Sequence, residues 1–282
     1  MRRASLYRRI LKLAKDNYIE EPLLVGGTPR DLYRKKIGQT DIDFLKKDED
    51  ITTNTADSFR LAIAFAESGS YPFNVFSDSH VSVYAEEHTV DFSSNFVSKD
   101  AVKYLNEEMN LYDENLYEVY SRDFTINTLH KKLLETTLLD PSGLAIKDIE
   151  DKRIRTIAPP EITFTDDKRR LWRAVRFAAR FGYKIDSSIA EYVRGNRGSF
   201  APSGKLGDKS PGKPISDQYI STIVGESLEY NPDITMGYIL DFGMLSLVPL
   251  VGRYKDELIK NNLITKYLDG AANIGEYQLD KV

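Results

Sequence analysis

Two aspartates separated by a single residue, Asp41 and Asp43, are the side chains of this sequence whose type and spacing best suit catalysis. Side chains alternate across a β-strand, so residues two apart point to the same face and the two carboxylates should converge. Mg²⁺ prefers oxygen ligands and usually binds one or two protein carboxylates together with substrate phosphates. The pair therefore predicts a magnesium site beside a bound nucleotide, with both aspartates as catalytic metal ligands.

A glycine pair precedes these aspartates within residues 23–44, LLVGGTPRDLYRKKIGQTDIDF. The pattern predicts a short apolar strand, a Gly-Gly turn, a basic helix and a second strand. Gly26 and Gly27 let the backbone approach phosphates, and the helix N-terminus favours negative charge. Arg30, in the first helical turn, is placed to bind a phosphate. Gly-Gly turns and Asp-x-Asp pairs also occur without function, so neither feature is specific alone.

The order of these features resembles the head domain of the nucleotidyltransferase superfamily, in particular the bacterial-type tRNA CCA-adding enzyme and poly(A) polymerase family. The resemblance implies a third carboxylate on a later strand, which helps to hold the metal and takes the proton of the attacking hydroxyl. Asp91, within the β-rich run 90–92, is the candidate. The alternative that Asp91 is only a charge on an edge strand stays open.

A second motif, SRDFTINTL at residues 121–129, resembles the ribose-recognition motif of the same family. Arg122, Asp123 and Asn127 match that motif, whereas Ser121 stands where the family has an arginine. A carboxylate and a guanidinium held together at a helix start can bind ribose hydroxyls and phosphate, which favours ribonucleotides. Asp123 can also be an N-cap of the following helix, and both roles are compatible.

A third motif lies in residues 164–182, FTDDKRRLWRAVRFAARFG, which we predict to form one amphipathic helix. Asp167, Arg170, Arg173 and Arg176 recur at every third position and are predicted to contact the nucleotide.

Asp167 and Arg170 match the family motif Glu-Asp-x-x-Arg, in which the aspartate and arginine imitate a base-pairing partner. A carboxylate accepts from an exocyclic amine while a guanidinium donates to the neighbouring ring nitrogen, an order that cytosine and adenine share. Mismatched bases would leave buried polar groups unpaired, so the resemblance implies selection of CTP and ATP. An ordinary surface ion pair between the two residues is the alternative.

Other segments are assigned more coarsely. An amphipathic helix is predicted near residues 6–16, a loop over 45–57, a helix over 58–69 and short strands over 73–92. Residues 216–250 return to helical periodicity, with one more helix near 253–268.

The expected organisation is an α/β nucleotidyltransferase head, with a small mixed β-sheet and flanking helices, followed by an all-α neck and body. The head is assigned to residues 1–140 and a hinge and neck with the base-reading helix to 141–193. A Gly-, Pro- and Ser-rich linker is expected over 194–214 and a short helical body over 215–282.

Composition limits the remaining possibilities. The 282 residues contain no cysteine, which excludes disulfides, thiol catalysis and cysteine-ligated zinc, and the three histidines show no ligand spacing. The net charge of -4 argues against non-specific coating of nucleic acid. No signal peptide or membrane span is evident, so we expect a soluble, cytoplasmic protein, with a monomer favoured.

The predicted function is Mg²⁺-dependent transfer of CMP and AMP from CTP and ATP to an RNA 3′ end, with the CCA end of tRNA as the main candidate. Poly(A) addition and toxin-like modification of tRNA are alternatives that the head motifs do not separate. A catalytically inactive RNA- or nucleotide-binding homologue is a further alternative.

Overall fold

A computed structural model describes residues 3–39, 48–53, 55–77, 80–93, 97–201, 215–245 and 248. Asp41 and Asp43 lie outside the described residues, as do most of the predicted linker, 202–214, and the predicted helix near 253–268. The chain divides into two compact units, with the boundary between Asp151 and Lys152. Each unit is described by itself.

The first unit is built on a mixed sheet whose described strands lie in the order β3-β4-β5-β2-β1-β6-β7. Strands β2 and β5 are parallel, and the other neighbouring pairs are antiparallel. This arrangement confirms the predicted mixed sheet. The strands are β1 (Leu23–Leu24), β2 (Asp48–Thr52), β3 (Phe73–Ser77), β4 (His80–Ala85), β5 (His88–Ser93), β6 (His130–Lys132) and β7 (Leu138–Leu139).

Helices flank this sheet, and the hydrophobic core lies between it and the first and third helices. Leu6, Ile10 and Phe65 are fully buried with Ile51 and Val83 of the sheet. The predicted amphipathic N-terminal helix and the helix after residue 54 are confirmed. The helices are α1 (Arg3–Asp16), α2 (Gly27–Lys36), α3 (Thr55–Gly69), α4 (Lys99–Lys103) with a π-helical turn at Tyr104–Glu108, α5 (Glu114–Ser121) and α6 (Ala145–Glu150).

The prediction of a loop over 45–57 was wrong for its described part. Asp48–Thr52 forms β2, which lies between β1 and β5 inside the sheet, and α3 begins at Thr55. Glu49 and Ile51 are fully buried, whereas Asp48 and Asp50 alternate with them and point to the opposite face. Acidic residues are depleted in strands, so local composition argued against this one.

Glu49 has partners that only the folded chain supplies. The Tyr7 hydroxyl donates to Glu49 Oε2 at 2.7 Å, and Arg3 forms an ion pair with Oε1. Burial, and next the neighbouring negative charge of Glu49, raise the pKa of Tyr7. These contacts connect α1 to β2, the strand that carries Asp48 and Asp50.

The second unit is mostly helical, which confirms the predicted helical C-terminal region. Helix α8 packs against α10 and α11. No helix among the described residues is long and apolar enough to cross a membrane. The elements are β8 (Arg153–Ile154), α7 (Pro160–Asp166), α8 (Arg169–Phe181), β9 (Lys184–Ile185), α9 (Ser187–Gly195), a 3₁₀ turn at Arg197–Phe200, α10 (Asp217–Tyr230) and α11 (Pro232–Asp241).

The prediction of one continuous helix over 164–182 was also wrong. Helix α7 ends at Asp166, Asp167 is extended with φ −155° and ψ 103°, and α8 begins at Arg169. The Asp167 carboxylate accepts from the Arg169 backbone N–H at 3.0 Å and so caps the second helix. The apolar periodicity continues through α8, where Leu171, Val175 and Ala178 are buried as predicted.

Replacing Tyr7 with Phe should lower the free energy of unfolding by about 1.5–3 kcal/mol, because Glu49 would stay buried with one donor fewer. Urea denaturation followed by circular dichroism measures this change. Tyr84→Phe is the matched control, since the Tyr84 hydroxyl accepts from Asn74 at an exposed site, and it should change stability by less than about 0.5 kcal/mol. Equal effects of the two substitutions would contradict a special role for the buried contact.

Candidate active site

Two carboxylates lie side by side on neighbouring strands of the first unit. Asp50 of β2 and Asp91 of β5 are partners in the parallel register, which places their side chains on the same face of the sheet. Burial raises the pKa of Asp50, and the negative charge of Asp91 is the next largest cause. Asp48, two residues before Asp50, lies on the same face and is exposed. This cluster therefore attracts a cation.

Strand β4 holds Asp91 from its other side. The Ser82 hydroxyl donates to Asp91 Oδ1, and His80 Nε2 lies 3.7 Å from the same oxygen. Ser82 is also the register partner of Asp91 in the antiparallel β4 and β5 pair. Asp91 therefore has a defined orientation within the sheet, which favours the site interpretation over that of an edge charge.

The glycine turn lies directly against the Asp50 carboxylate. Gly26 has φ +70°, and a Cβ added there would lie 2.7 Å from Asp50 Oδ2. The Val25 backbone N–H donates to the Asp50 carbonyl oxygen at 3.0 Å. Because α2 begins at Gly27, its positively polarised N-terminus follows the contact with Asp50. The predicted phosphate-binding turn and a carboxylate strand are thus brought together.

Arg30 connects the first motif to the second. Its Nη1 donates to Asn127 Oδ1 at 2.6 Å, and its Nε and Nη2 donate to Asp31 at 2.9 and 3.1 Å. Asn127 Nδ2 in turn donates to Asp123 Oδ1 at 2.9 Å. Arg30 is 4% exposed, so the structure shows it joining the two motifs, and its contact with phosphate stays a prediction.

No α-helix begins directly after Asp123, which corrects the prediction that Asp123 lies at a helix start. Its Oδ1 accepts from the Phe124 N–H at 2.8 Å, and a single 3₁₀ turn at Thr125–Asn127 leads into β6. Thr125 Oγ1 donates to the buried Asp148 at 2.5 Å. Since this turn is held by side chains from both motifs and from α6, a longer helix is not needed to fix it.

Arg122 is held by a buried acidic residue. Its Nη2 pairs with Glu118 Oε1, and Glu118 Oε2 lies 3.5 Å from His130 Nε2. Burial alone would raise the pKa of Glu118, but the charges and hydrogen bonds of Arg122 and His130 outweigh it and lower that pKa. The positive charge of Arg122 also opposes the rise in the Asp50 pKa. Arg122 therefore contributes to the electrostatics of the carboxylate cluster.

The donor set suits a divalent metal ion. Among the described residues, no group of three His, Cys, Asp or Glu side chains is arranged to hold a metal by itself. Asp50 and Asp91 supply two carboxylates, and Mg²⁺ commonly takes its remaining ligands from phosphates and water. Burial and then the charge of Asp91 raise the pKa of Asp50, and a cation here would favour the ionised carboxylates. The residues present therefore fit the ion.

The predicted base-reading residues lie in the second unit and have protein partners. Arg170 Nη1 donates to the Thr163 carbonyl oxygen at 3.1 Å. Arg176 Nη1 donates to Glu226 at 3.0 Å, and the Arg173 guanidinium lies 5.9 Å from the centroid of the Phe177 ring. Asp167 forms its hydrogen-bonded ion pair with Arg169, and the positive charge of Arg170 also helps to lower the pKa of Asp167. Arg170 Nη1 lies 3.8 Å from Asp166 Oδ2.

Sequence reasoning missed four residues of this arrangement. Asp48 and Asp50 have the same two-residue spacing as Asp41 and Asp43, and this spacing was the signal that could have revealed them. Glu118 and Arg169 carry no such signal, because their partners are set by the fold.

Comparison with known proteins identifies the class. Residues 23–155 match the family model of the poly A polymerase head domain, so this segment is similar to the head domain of that family of nucleotidyltransferases. Poly(A) polymerase I of Escherichia coli O6:H1 is 30% identical over 189 residues, which are 64% of this chain and 38% of that protein. The CCA-adding enzyme of Bacillus velezensis is 30% identical over 177 residues, 60% of this chain and 39% of that protein.

A solved structure agrees with the fold. The CCA-adding enzyme of Bacillus stearothermophilus in complex with CTP superposes with a TM-score of 0.64 at 20% identity, covering 90% of this chain and 56% of that one. The chain spans about two fifths of the length of the curated relatives that it matches.

Replacing Gly26 with Ala should reduce nucleotide incorporation on the order of 10²-fold, because the new methyl group would displace the Asp50 carboxylate. Gly38→Ala is the matched control. Gly38 has φ +83° and no atom within 4 Å of an added Cβ, so it carries the backbone strain without the contact. Equal losses of activity in the two variants would contradict this account.

Replacing Glu118 with Gln should destabilise the protein at neutral pH and much less in acid. Because the folded pKa of Glu118 lies below its ordinary value, the stability contributed by the ionised carboxylate is present above that value and is lost as the pH falls through the folded pKa. We expect a loss of about 1.5–3 kcal/mol near neutral pH in urea denaturation. Glu107→Gln, in an exposed pair with Lys103, should show a small effect at either pH. A Glu118→Gln effect that does not vary with pH would contradict the prediction.

Proposed function

We propose that this chain is a template-independent RNA nucleotidyltransferase that adds CMP and AMP from CTP and ATP to the 3′ end of tRNA, in CCA addition or repair. The observation that carries the proposal is the pairing of Asp50 with Asp91 beside the Gly26 turn. This arrangement supplies carboxylates for a metal and a helix N-terminus for phosphates at one place.

The transfer needs an attacking 3′-hydroxyl, a leaving pyrophosphate and an acceptor for one proton. The new bond joins the 3′-oxygen to the α-phosphorus while the bond between the α-phosphorus and the bridging oxygen breaks. Asp41 and Asp43 are proposed to hold Mg²⁺, which when bound would neutralise phosphate charge and make the hydroxyl more acidic. Asp91 accepts the proton of the hydroxyl or serves as a third ligand.

Arg122, Asp123 and Asn127 are proposed to recognise the ribose and phosphates. The ion pair with Glu118 and the hydrogen bond to the Asn127 carbonyl oxygen direct the Arg122 guanidinium. Gly26 and Gly27 are proposed to let the phosphates approach the backbone. Arg30 joins the first motif to the second through its hydrogen bond to Asn127.

Base selection is assigned to the second unit. Asp167 and Arg170 are proposed to read the Watson-Crick edge that cytosine and adenine share, because a carboxylate acceptor and a guanidinium donor match it. Arg173 and Arg176, on the same helix as Arg170, are proposed to contact the nucleotide.

The metal ligands have two candidate pairs. Asp41 and Asp43 stay a prediction from spacing, whereas Asp48 and Asp50 have the additional support of their place beside Asp91. We keep Asp41 and Asp43, which lie in the motif that resembles the family, as the proposed ligands, and Asp48 and Asp50 are the alternative pair. Direct comparison of the two pairs by substitution decides between them.

Poly(A) addition is the second candidate, favoured by the similarity to poly(A) polymerase I of Escherichia coli. The two activities use the same head chemistry and differ in the number and kind of nucleotides added. A toxin-like transferase would also modify tRNA, and an inactive homologue would bind without turnover.

The test is incorporation of each labelled NTP, and of CTP with ATP, into tRNA that lacks CCA and into an unstructured RNA, with Mg²⁺. Addition that stops after CCA on the tRNA is the expected result. Long A tails would establish poly(A) addition, and a single unrelated nucleotide would indicate tRNA modification. Absence of incorporation would overturn the enzymatic proposal.

The same assay compares the carboxylates. The double substitution of Asp41 and Asp43 by Asn should abolish incorporation, because it removes both proposed metal ligands while preserving shape. Asp91→Asn should also abolish incorporation, because it removes the proposed proton acceptor or third ligand. Activity that survives the double substitution but disappears in Asp50→Asn would assign the metal to Asp48 and Asp50.

A further inference from the structure

The Asp167 carboxylate is fully engaged by one neighbouring residue. Arg169 Nε donates to Oδ1 at 2.8 Å and to Oδ2 at 3.1 Å, and Arg169 Nη2 donates to Oδ2 at 2.7 Å. The Arg169 backbone N–H donates to Oδ1 at 3.0 Å. A carboxylate has about four lone-pair sites, and these contacts occupy them.

The Arg169 side chain is also supported from α10. Its guanidinium carbon lies 5.8 Å from the centroid of the Tyr219 ring, within the range of a cation–π contact. The hydrogen bond to Asp167 is the largest cause of the raised pKa of Arg169. Arg169 is thus held over Asp167 by two neighbours.

These contacts affect base reading directly. A base that pairs with Asp167 must place its exocyclic amine on an oxygen that Arg169 already occupies. At least one guanidinium hydrogen bond must therefore break before the base can bind. A base that does not donate to Asp167 meets no such competition.

We propose that Arg169 is a specificity-determining residue that competes with the incoming base for the Asp167 carboxylate. It lowers the apparent affinity for CTP and ATP and leaves that for UTP unchanged. This inference rests on the proposed function, in which Asp167 reads the base. It also gives the Asp167 carboxylate a partner when no nucleotide is bound, so the carboxylate is not left unsatisfied.

Arg169→Leu separates competition from support. The Asp167 carboxylate still accepts from the backbone N–H of residue 169 at the start of α8, and leucine is a good helix former. Asp167 therefore keeps its position while the competing guanidinium is lost. Arg180→Leu is the matched control, because the Arg180 guanidinium lies over Phe181 and Tyr230 on the same helix and makes no contact with Asp167.

The experiment measures KM and kcat for CTP, ATP and UTP on the full chain with tRNA lacking CCA. Arg169→Leu should lower KM for CTP and ATP about tenfold, the factor for one charged hydrogen bond, with kcat unchanged. UTP should be unaffected, Arg169→Lys should lie between, and Arg180→Leu should match the wild type. A KM for CTP and ATP that is unchanged or raised in Arg169→Leu overturns the proposal.

Asp167→Asn distinguishes failure of this inference from failure of the proposed function. If Asp167→Asn leaves the KM for CTP and ATP unchanged, Asp167 does not read the base and both statements fail. If it raises those values while Arg169→Leu has no effect, only the inference about Arg169 fails. Calorimetric binding of CTP to the same variants decides the question without turnover, since Arg169→Leu should bind about tenfold more tightly.

Discussion

The burial of the Asp50 carboxylate beside Asp91 is the constraint on which the site of the first unit depends. Two carboxylates on adjacent parallel strands, one of them largely desolvated, are costly unless a cation or a positive neighbour compensates. The fold supplies compensation in two ways. Arg122 opposes the rise in the Asp50 pKa, and the N-terminus of α2 follows the glycine that touches Asp50. A cation at this place would relieve the repulsion between the carboxylates, whereas the N-terminus of α2 favours an anion such as phosphate.

Acidic residues in supporting positions hold the arginines around this site. Glu118 holds Arg122, and Asp123 holds Asn127, which accepts from Arg30. Each of these charges is largely buried, so each would be expensive if its partner were absent. The benefit is a fixed direction for the guanidinium groups, since a long exposed side chain would otherwise sample many rotamers. Glu49 applies the same principle on the opposite face of β2, where it connects α1 to the carboxylate strand.

In the second unit, the break between α7 and α8 separates roles that a continuous helix would have combined. Asp167 leaves the helical path, caps the next helix and directs its carboxylate towards Arg169. Arg170, Arg173 and Arg176 lie on α8 at every third position, as predicted. A capping carboxylate has a fixed position, which suits a group that is proposed to accept a hydrogen bond from the base.

The sequence by itself determined the class of fold, through the resemblance of its motifs to a known family. It also determined the glycine turn and the buried face of α8, because these features depend on local spacing and periodicity. It did not determine that Asp48–Thr52 forms a strand inside the sheet, since the acidic composition of this segment argues for a loop. The contacts of Glu49 with α1 compensate the burial of the Glu49 carboxylate, and only the folded chain supplies them. It also could not show that Asp50 is the register partner of Asp91, or that Arg169 donates hydrogen bonds to the Asp167 carboxylate. Tertiary structure decided these points. Strand register is set by pairing between segments that are distant in the sequence. The partner of a charged side chain depends on distance and burial in the folded chain, and spacing along the sequence does not encode either of them.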